Sequence, residues 1–174
     1  DIAERVKQHT GLLNTVIYGC NGVGKFTLAR MMIKKYYNIP VLNIKKDEYL
    51  DNKINSSRYH FELFVSQYNY KDKNSFVKTL EEFTNTKNVS TGDNNIIIIK
   101  NADFLSRDNI LTIKKVTERS DKFVTFILTM NKFSKQRGIL NSFFTIRMPS
   151  PKKEEISEFI CDKVEDMGVC LLYT

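Results

Sequence analysis

One short segment, residues 19–27, constrains the fold of this chain more than any other. It has the spacing G-x-x-x-x-G-K-[ST], except that a phenylalanine separates the lysine from the threonine. The segment follows an apolar run, Leu12 to Tyr18, and precedes a helix-like run, Thr27 to Tyr37. This order of strand, glycine-rich loop and helix predicts backbone N–H groups that surround one phosphate, beside the positive end of the helix. The candidate nucleotide-binding residues of the loop are Gly19, Cys20, Asn21, Gly22, Val23, Gly24, Lys25, Phe26 and Thr27.

The loop departs from the pattern at the position that normally holds a magnesium ion. Lys25 is placed to reach the β- and γ-phosphates of a nucleotide, but Phe26 occupies the position of the metal-binding serine or threonine. The only hydroxyl comes one residue late, at Thr27. The segment therefore predicts a nucleotide pocket, and whether that pocket hydrolyses anything is a separate question.

A run of four isoleucines, Ile96 to Ile99, predicts a buried strand that would carry the second nucleotide motif. A hydrolytic ATPase with this kind of loop ends such a strand with an aspartate that holds magnesium and a glutamate that polarises water. Here Lys100 replaces the first acid and Asn101 the second, and Asp103 lies too far along for either role. Two separate losses favour binding without hydrolysis, with the Lys100 cation standing in for part of the metal's charge. An empty pocket with Lys100 in solvent, and true hydrolysis, are the competing interpretations.

A polar residue, Asn131, directly follows the predicted strand from Phe123 to Met130. At that tip it would face the γ-phosphate and sense it. An asparagine that only caps a loop is the alternative, because such residues are common in turns.

The alternation of strand-like and helix-like segments predicts an α/β fold with a mostly parallel sheet. Two extended segments, Pro40–Lys46 and Tyr59–Val65, could form a hairpin across the polar stretch between them. The run Glu154–Met167 is amphipathic, and we expect Ile156, Phe159, Ile160 and Val164 to point inward. Further helices are expected at Ile2–His9, at Ser75–Phe83, from Ser106 or Asp108 as cap to about Arg119, and at Ser134–Leu140; a last strand is expected at Phe144–Met148.

Composition bounds the class of protein. The 174 residues suffice for one domain with a core, and the start at Asp1 rather than Met predicts a fragment of a longer protein. No apolar stretch has transmembrane length, so no membrane partner is expected. Three cysteines without metal-site spacing predict reduced thiols in an intracellular protein. The net charge of +7 permits an acidic partner such as nucleic acid, although the charge alone favours a solvated lysine-rich surface.

Several motifs in order resemble the AAA+ core of replication factor C small subunits, the clamp-loader family. They span about Leu12 to Ile160 and are closest to the small subunit whose ATPase site is degenerate. The resemblance implies an α/β P-loop AAA+ core with a mostly parallel five-stranded sheet and helices on both faces. That core would cover residues 1–150, and residues 151–174 would begin a truncated lid. The motifs are Ile17-Tyr18-Gly19, Gly24-Lys25-Phe26-Thr27, Ser57-Arg58-Tyr59-His60-Phe61-Glu62, Ala102 to Asp108, Ile113 to Glu118, Leu128 to Asn131 and Pro149-Ser150-Pro151.

The resemblance implies a subunit that helps load a sliding clamp onto primer–template DNA and binds ATP or ADP with little or no hydrolysis. Magnesium would then be dispensable, and the other partners would be the neighbouring clamp-loader subunits. Arg107, Lys114 and Lys115 match basic residues that face DNA or a subunit interface, with a solvated helix face as the alternative. The family's arginine-finger triplet is replaced by Asn141-Ser142-Phe143. The expected location is intracellular, nuclear in a eukaryote or a replication compartment in a virus.

Three other functions compete with this one. The first is an active AAA+ ATPase of replication or repair, in which Thr27 is recruited to the metal and a different acid, such as Asp103, does the work of the missing one. The second is a scaffold in which the loop is a relic that binds no nucleotide. The third is a small-molecule kinase, which is disfavoured because no arginine-rich lid or second substrate loop is visible.

Overall fold

The computed structural model describes residues 12–49, 52–65, 73–85, 94–119, 124–133 and 138–166. Its strands are β1 Thr15–Gly19, β2 Lys45–Tyr49, β3 Asn52–Ser56, β4 His60–Phe64, β5 Asn95–Lys100, β6 Val124–Met130 and β7 Phe144–Met148. Its α-helices are α1 Lys25–Tyr37, α2 Lys73–Asn85, α3 Arg107–Glu118 and α4 Lys153–Asp166, with a 3₁₀ turn at Ala102–Phe104. The helix expected at Ile2–His9 lies outside the described residues. Among the described residues, no helix is both long enough and apolar enough to span a bilayer.

The strands form one sheet of seven, in the order β2-β3-β4-β5-β6-β1-β7. The five strands from β4 to β7 in this order are all parallel, as expected for the core. The total of five was wrong, because β2 and β3 add an antiparallel extension beside β4. The carboxyl ends of β1, β5 and β6 meet at one edge of the sheet, where α/β proteins bind ligands.

The extension also corrects the expected hairpin. Strands β2 and β3 pair with each other, so the hairpin arises largely within the polar stretch rather than between the two apolar segments. Of its side chains that can be described, Ile54 is buried. Polar residues suit a strand pair at the edge of a sheet, where one side faces water. The apolar segment that follows instead becomes β4 and pairs in parallel with β5.

Helices cover both faces of the sheet, as expected. Successive isoleucines of β5 alternate between two cores, Ile97 and Ile99 in one and Ile96 and Ile98 in the other. Helices α2 and α3 contribute to the first core and α1 to the second. A strand buried on both faces reads as a continuous apolar run, which explains the four consecutive isoleucines.

Helix α4 forms where predicted, but its apolar face is not buried. Ile156, Phe159 and Ile160 are 44%, 62% and 49% exposed, so the expectation that they point inward was wrong. Their spacing places them on one face of the helix, and spacing alone does not specify what covers that face. The side chain of Val164 lies outside the description. Of the short helix expected at Ser134–Leu140, residues 138–140 form a turn and the preceding four lie outside the described residues.

Candidate nucleotide-binding site

The glycine-rich loop connects β1 to α1 at the carboxyl edge of the sheet. Gly22 and Gly24 have φ values of 82° and 86°, in the left-handed region that glycine adopts readily. Gly19 has a different requirement, because a Cβ there would collide with the carbonyl oxygen of Met148 on the adjacent strand β7. Gly24 is also the N-cap of α1 and has no side chain with which to cap it. The first N–H groups of the helix are therefore suited to an anion.

Lys25 is buried and joins the loop to the end of β6. Its Nζ donates to the carbonyl oxygens of Gly19, at 2.8 Å, and Cys20, at 2.6 Å. A third hydrogen bond, of 3.0 Å, goes to Oδ1 of Asn131. Burial lowers the pKa of Lys25, and Coulomb interactions with Asp103 and Cys20 oppose that decrease. The structure thus brings together the lysine of the loop and the polar residue that the sequence placed at the strand tip.

Asp103 positions the segment that carries Asn131. Its Oδ2 accepts a hydrogen bond of 2.7 Å from the backbone N–H of Asn131, and its Oδ1 accepts one of 2.9 Å from that of Lys132. The sequence offered Asp103 only as the acid of the competing ATPase, because it lies too far along the chain for the usual metal-holding or basic role. Its structural role depends on a pairing across 28 residues, for which the local sequence offers no signal.

Two aromatic rings and a lysine occupy the corner where the motifs would place a metal ion. Phe26 and Phe64 have ring centroids 6.1 Å apart. The Nζ of Lys100 lies 5.0 Å from the centroid of Phe26 and 5.4 Å from that of Phe64. On the next turn of α1, the guanidinium carbon of Arg30 lies 4.5 Å from the centroid of Phe26. The residues at the two metal-holding positions, Phe26 and Lys100, therefore contact each other, and both distances of Lys100 are within the range of cation–π interactions.

These residues do not fit a magnesium ion. Magnesium requires oxygen ligands in octahedral geometry, and neither the rings nor the ammonium provides one. The Asp103 carboxylate already accepts two backbone hydrogen bonds. Thr27 is exposed on α1 and offers a single hydroxyl. Within the part of the chain that the structure describes, no cluster of three or more His, Cys, Asp or Glu residues could hold a metal.

The remaining nearby carboxylate, Glu62, belongs to a buried network that the sequence did not reveal. It accepts hydrogen bonds of 2.6 and 2.9 Å from Nε and Nη2 of Arg30, and one of 2.9 Å from Asn55. His60 Nε2 lies 3.1 Å from its Oε1, and both side chains are completely buried. Burial alone would raise the pKa of Glu62, but the hydrogen bonds from His60, Arg30 and Asn55 outweigh it and lower the pKa to about 2. The ionised carboxylate thereby balances the charge of Arg30.

A cleft of about 430 Å³ opens beside the loop, a volume within the range of small-molecule sites. One wall includes the Tyr18 and Phe133 rings, whose centroids are 5.4 Å apart. The lining residues are Tyr18, Gly19, Cys20, Asn131, Lys132, Phe133, Arg147, Met148, Pro149 and Ser150. The loop and Asn131 thus share one concave site with two cationic side chains.

The candidate DNA-binding residues lie on α3, away from the loop in sequence. Ser106 caps this helix, and its hydroxyl accepts from the N–H of Asn109 at 3.2 Å, which decides between the two expected caps. Arg107 and Lys115 are exposed. Lys114 instead lies 3.7 Å from the Glu118 carboxylate, one turn along. The three cations are therefore not equivalent.

Comparison with known proteins identifies the class to which this fold and loop belong. Residues 15–160 match the family described as ATPase family associated with various cellular activities (AAA), and the chain belongs to that family. More particularly, it is similar to replication factor C small subunits. It is 25% identical over 182 residues to Replication factor C subunit 5 of Saccharomyces cerevisiae, covering 94% of this chain and 51% of that protein. It is 23% identical over 185 residues to Replication factor C subunit 3 of Arabidopsis thaliana, covering 94% of this chain and 52% of that one.

Solved structures agree on the fold. A DNA polymerase III gamma subunit-related protein of Thermotoga maritima has a TM-score of 0.61 at 10% identity, covering 95% of this chain and 50% of that one. The FIGL-1 AAA domain, in complex with ADP, has a TM-score of 0.55 at 12% identity, covering 94% and 53%. The chain spans about half the length of the curated relatives it matches. The similarity to these curated relatives confirms the resemblance to replication factor C small subunits.

Proposed function

We propose that this chain is the nucleotide-binding core of a clamp-loader subunit that binds ATP or ADP with little or no hydrolysis. One observation carries the proposal: Phe26 and Lys100 replace both residues that hold magnesium, and they pack against each other. Hydrolysis also requires a residue that polarises water, and Asn101 stands in the position of that glutamate. The intact parts of the loop, its glycines and Lys25, are the parts that contact phosphates.

A subunit of this kind contributes binding rather than turnover. Nucleotide held between the loop and the Asn131 segment would stabilise the carboxyl edge of the sheet, where Lys25 already links them. Its partners are the other clamp-loader subunits, the sliding clamp and primer–template DNA, with the nucleus as the place of action. Arg107, Lys114 and Lys115 on α3 would contact DNA phosphates. The similarity to replication factor C subunits over most of this chain supports these assignments.

Calorimetric titration with ATP and ADP, with and without magnesium, tests the proposal, together with a phosphate-release assay. We expect both nucleotides to bind, binding to persist without magnesium, and no phosphate release. Lys25→Ala should abolish binding, because it removes the ammonium that reaches the phosphates. Lys34→Ala, in the last turn of the same helix, is the charge-matched control and should bind as the wild type does.

Two results would support the competing functions. Magnesium-dependent turnover that is lost in Lys25→Ala would indicate an active ATPase. That function is disfavoured because Asp103 is engaged by the Asn131 and Lys132 amides. Absence of binding at millimolar nucleotide, with a folded protein, would indicate a scaffold that acts through its subunit and clamp contacts alone.

A further inference from the structure

We propose that the ligand of this site is the nucleotide free of divalent metal, with Lys100 as the counter-charge to its phosphates. The inference rests on the proposed function and specifies the chemical form of the ligand. It goes beyond tolerance of low magnesium, because it requires magnesium to oppose binding.

The rings hold the Lys100 ammonium at the edge of the phosphate loop. Phe26 directly follows Lys25, and Phe64 ends β4, the strand adjacent to β5. Nζ of Lys100 is 5.0 and 5.4 Å from the two ring centroids. Cation–π contacts orient an ammonium without neutralising it, since a ring offers a quadrupole and no full negative charge.

Within the described ranges, no negative side chain compensates the charge of Lys100, whereas Glu62 compensates that of its neighbour Arg30. Arg30 stacks on the same Phe26 ring, but its guanidinium forms a bidentate ion pair with Glu62. Among the residues that the structure describes, no carboxylate lies within ion-pair distance of Lys100 and no acceptor takes a hydrogen bond from it. Its three N–H donors are therefore available to phosphate oxygens, which make short, charge-assisted hydrogen bonds with ammonium groups.

A magnesium ion on the nucleotide would meet the wrong chemistry at this corner. It would approach the like charge of Lys100 and find aromatic carbon where it needs oxygen ligands. The bound metal would also compete with Lys100 for the same phosphate oxygens. Since magnesium in solution converts free nucleotide into its metal complex, raising its concentration removes the form that the site prefers.

The experiment measures the dissociation constants of ADP and ATP for the folded chain in EDTA and in excess magnesium. We expect binding in EDTA to be at least about tenfold tighter than in magnesium, the effect of one charged hydrogen bond. Lys100→Met should weaken binding in EDTA by about tenfold and remove most of the magnesium effect. Lys100→Arg should retain most of the affinity in EDTA and most of the magnesium effect, because the positive charge is kept. Lys34→Met removes one positive charge from the last turn of α1 and should leave both constants unchanged.

Each result has a defined meaning. If magnesium strengthens binding to the wild-type chain, the inference is overturned while the proposed nucleotide-binding function stands. If binding is the same in EDTA and magnesium, or Lys100→Met binds as the wild type does, Lys100 is not the counter-charge and the inference also fails. If neither nucleotide binds in either condition to protein with an intact thermal transition, the proposed function fails as well. Should Lys100→Met not fold, the wild-type comparison alone decides.

Discussion

The Nζ of Lys100 lies 5.0 Å from the centroid of the Phe26 ring, so the end of β5 and the start of α1 are joined by a cation–π contact. In the proposed function these two residues replace a hydroxyl and a carboxylate that would both coordinate magnesium. A single replacement would leave a half-built metal site. The pair forms a packed alternative, because the ring supplies the ammonium with a partner and the ammonium covers the ring.

This contact predicts an energetic coupling between the two residues. Phe26 is half-buried, so Phe26→Ala should lower the free energy of unfolding by about 2 kcal/mol, below the value for a fully buried phenylalanine. Lys100→Ala should cost about 0.5–1 kcal/mol. In a double-mutant cycle measured by urea unfolding, we expect a coupling of about 0.5–1 kcal/mol. The same cycle with Lys114 in place of Lys100 should show none. Additive effects of Phe26→Ala and Lys100→Ala would contradict the contact.

The lowered pKa of Glu62 predicts a specific loss of stability in acid. The folded state holds this pKa at about 2, below the ordinary value of 4.5, so folding favours the ionised carboxylate. Its stabilisation is complete above pH 4.5 and disappears as the pH falls toward 2. The difference corresponds to about 3 kcal/mol at neutral pH, and Glu62→Gln should be destabilised by about that amount there.

The measurement is the free energy of unfolding of the wild type and of Glu62→Gln, from pH 7 downward over the range in which both remain folded. The gap between them should narrow progressively below pH 4.5. Glu118→Gln is the control, because its carboxylate is exposed and, among the described residues, pairs only with Lys114 on its own helix. If the difference in unfolding free energy between the two proteins does not change with pH, Glu62 stabilises the fold through packing and not through its charge.

Asp103 should matter for the position of Asn131 as well as for stability. Asp103→Ala removes the acceptor of two backbone N–H groups and should cost about 1–3 kcal/mol. The amide resonances of Asn131 and Lys132 should shift and exchange faster in an NMR hydrogen-exchange experiment. Asp108→Ala, which removes an exposed acid from the first turn of α3, should leave those two amides unchanged. Unchanged protection of Asn131 in Asp103→Ala would exclude this positioning role.

The three cations of α3 should differ in their effect on DNA affinity if this helix contacts phosphates. Arg107→Ala and Lys115→Ala should each weaken binding to primer–template DNA uniformly across sequences. In each variant, the slope of log K against the logarithm of salt concentration should also become shallower by about 0.9, the value for one phosphate contact. Lys114→Ala should have a smaller effect, because that ammonium is already paired with Glu118. If all three variants bind DNA with the affinity and the salt dependence of the wild type, these residues belong to a solvated surface.

Local patterns predicted much of the fold. The glycine-rich loop between a strand and a helix, and the four isoleucines of a strand buried on both faces, are signals within a few residues. The hairpin was misplaced because polar residues such as those of β2 and β3 look like loop when no apolar alternation marks the strands. The prediction that the apolar face of α4 is buried was wrong. The spacing of apolar residues shows that they share one face of the helix, but it does not show which element packs against that face.

The candidate site shows the same division. The residues of the loop, and the substitutions at Phe26 and Lys100, were identified from the sequence because each is defined relative to a motif. Their contact with each other, and the participation of Phe64, depend on the ends of three separate elements meeting. The roles of Asp103 and Glu62 depend likewise on partners from distant segments, so only the tertiary structure reveals them.

The close approach of Gly19 to the carbonyl of Met148 means that the presence of this glycine is not by itself evidence of nucleotide binding. Any side chain at that position would push β7 away from β1, so selection for a folded sheet is enough to retain the glycine. A descendant that had abandoned nucleotides altogether would keep it. Gly19 is therefore required by the packing of the sheet, whether or not a nucleotide binds. Lys25 is the residue of the loop that indicates a ligand.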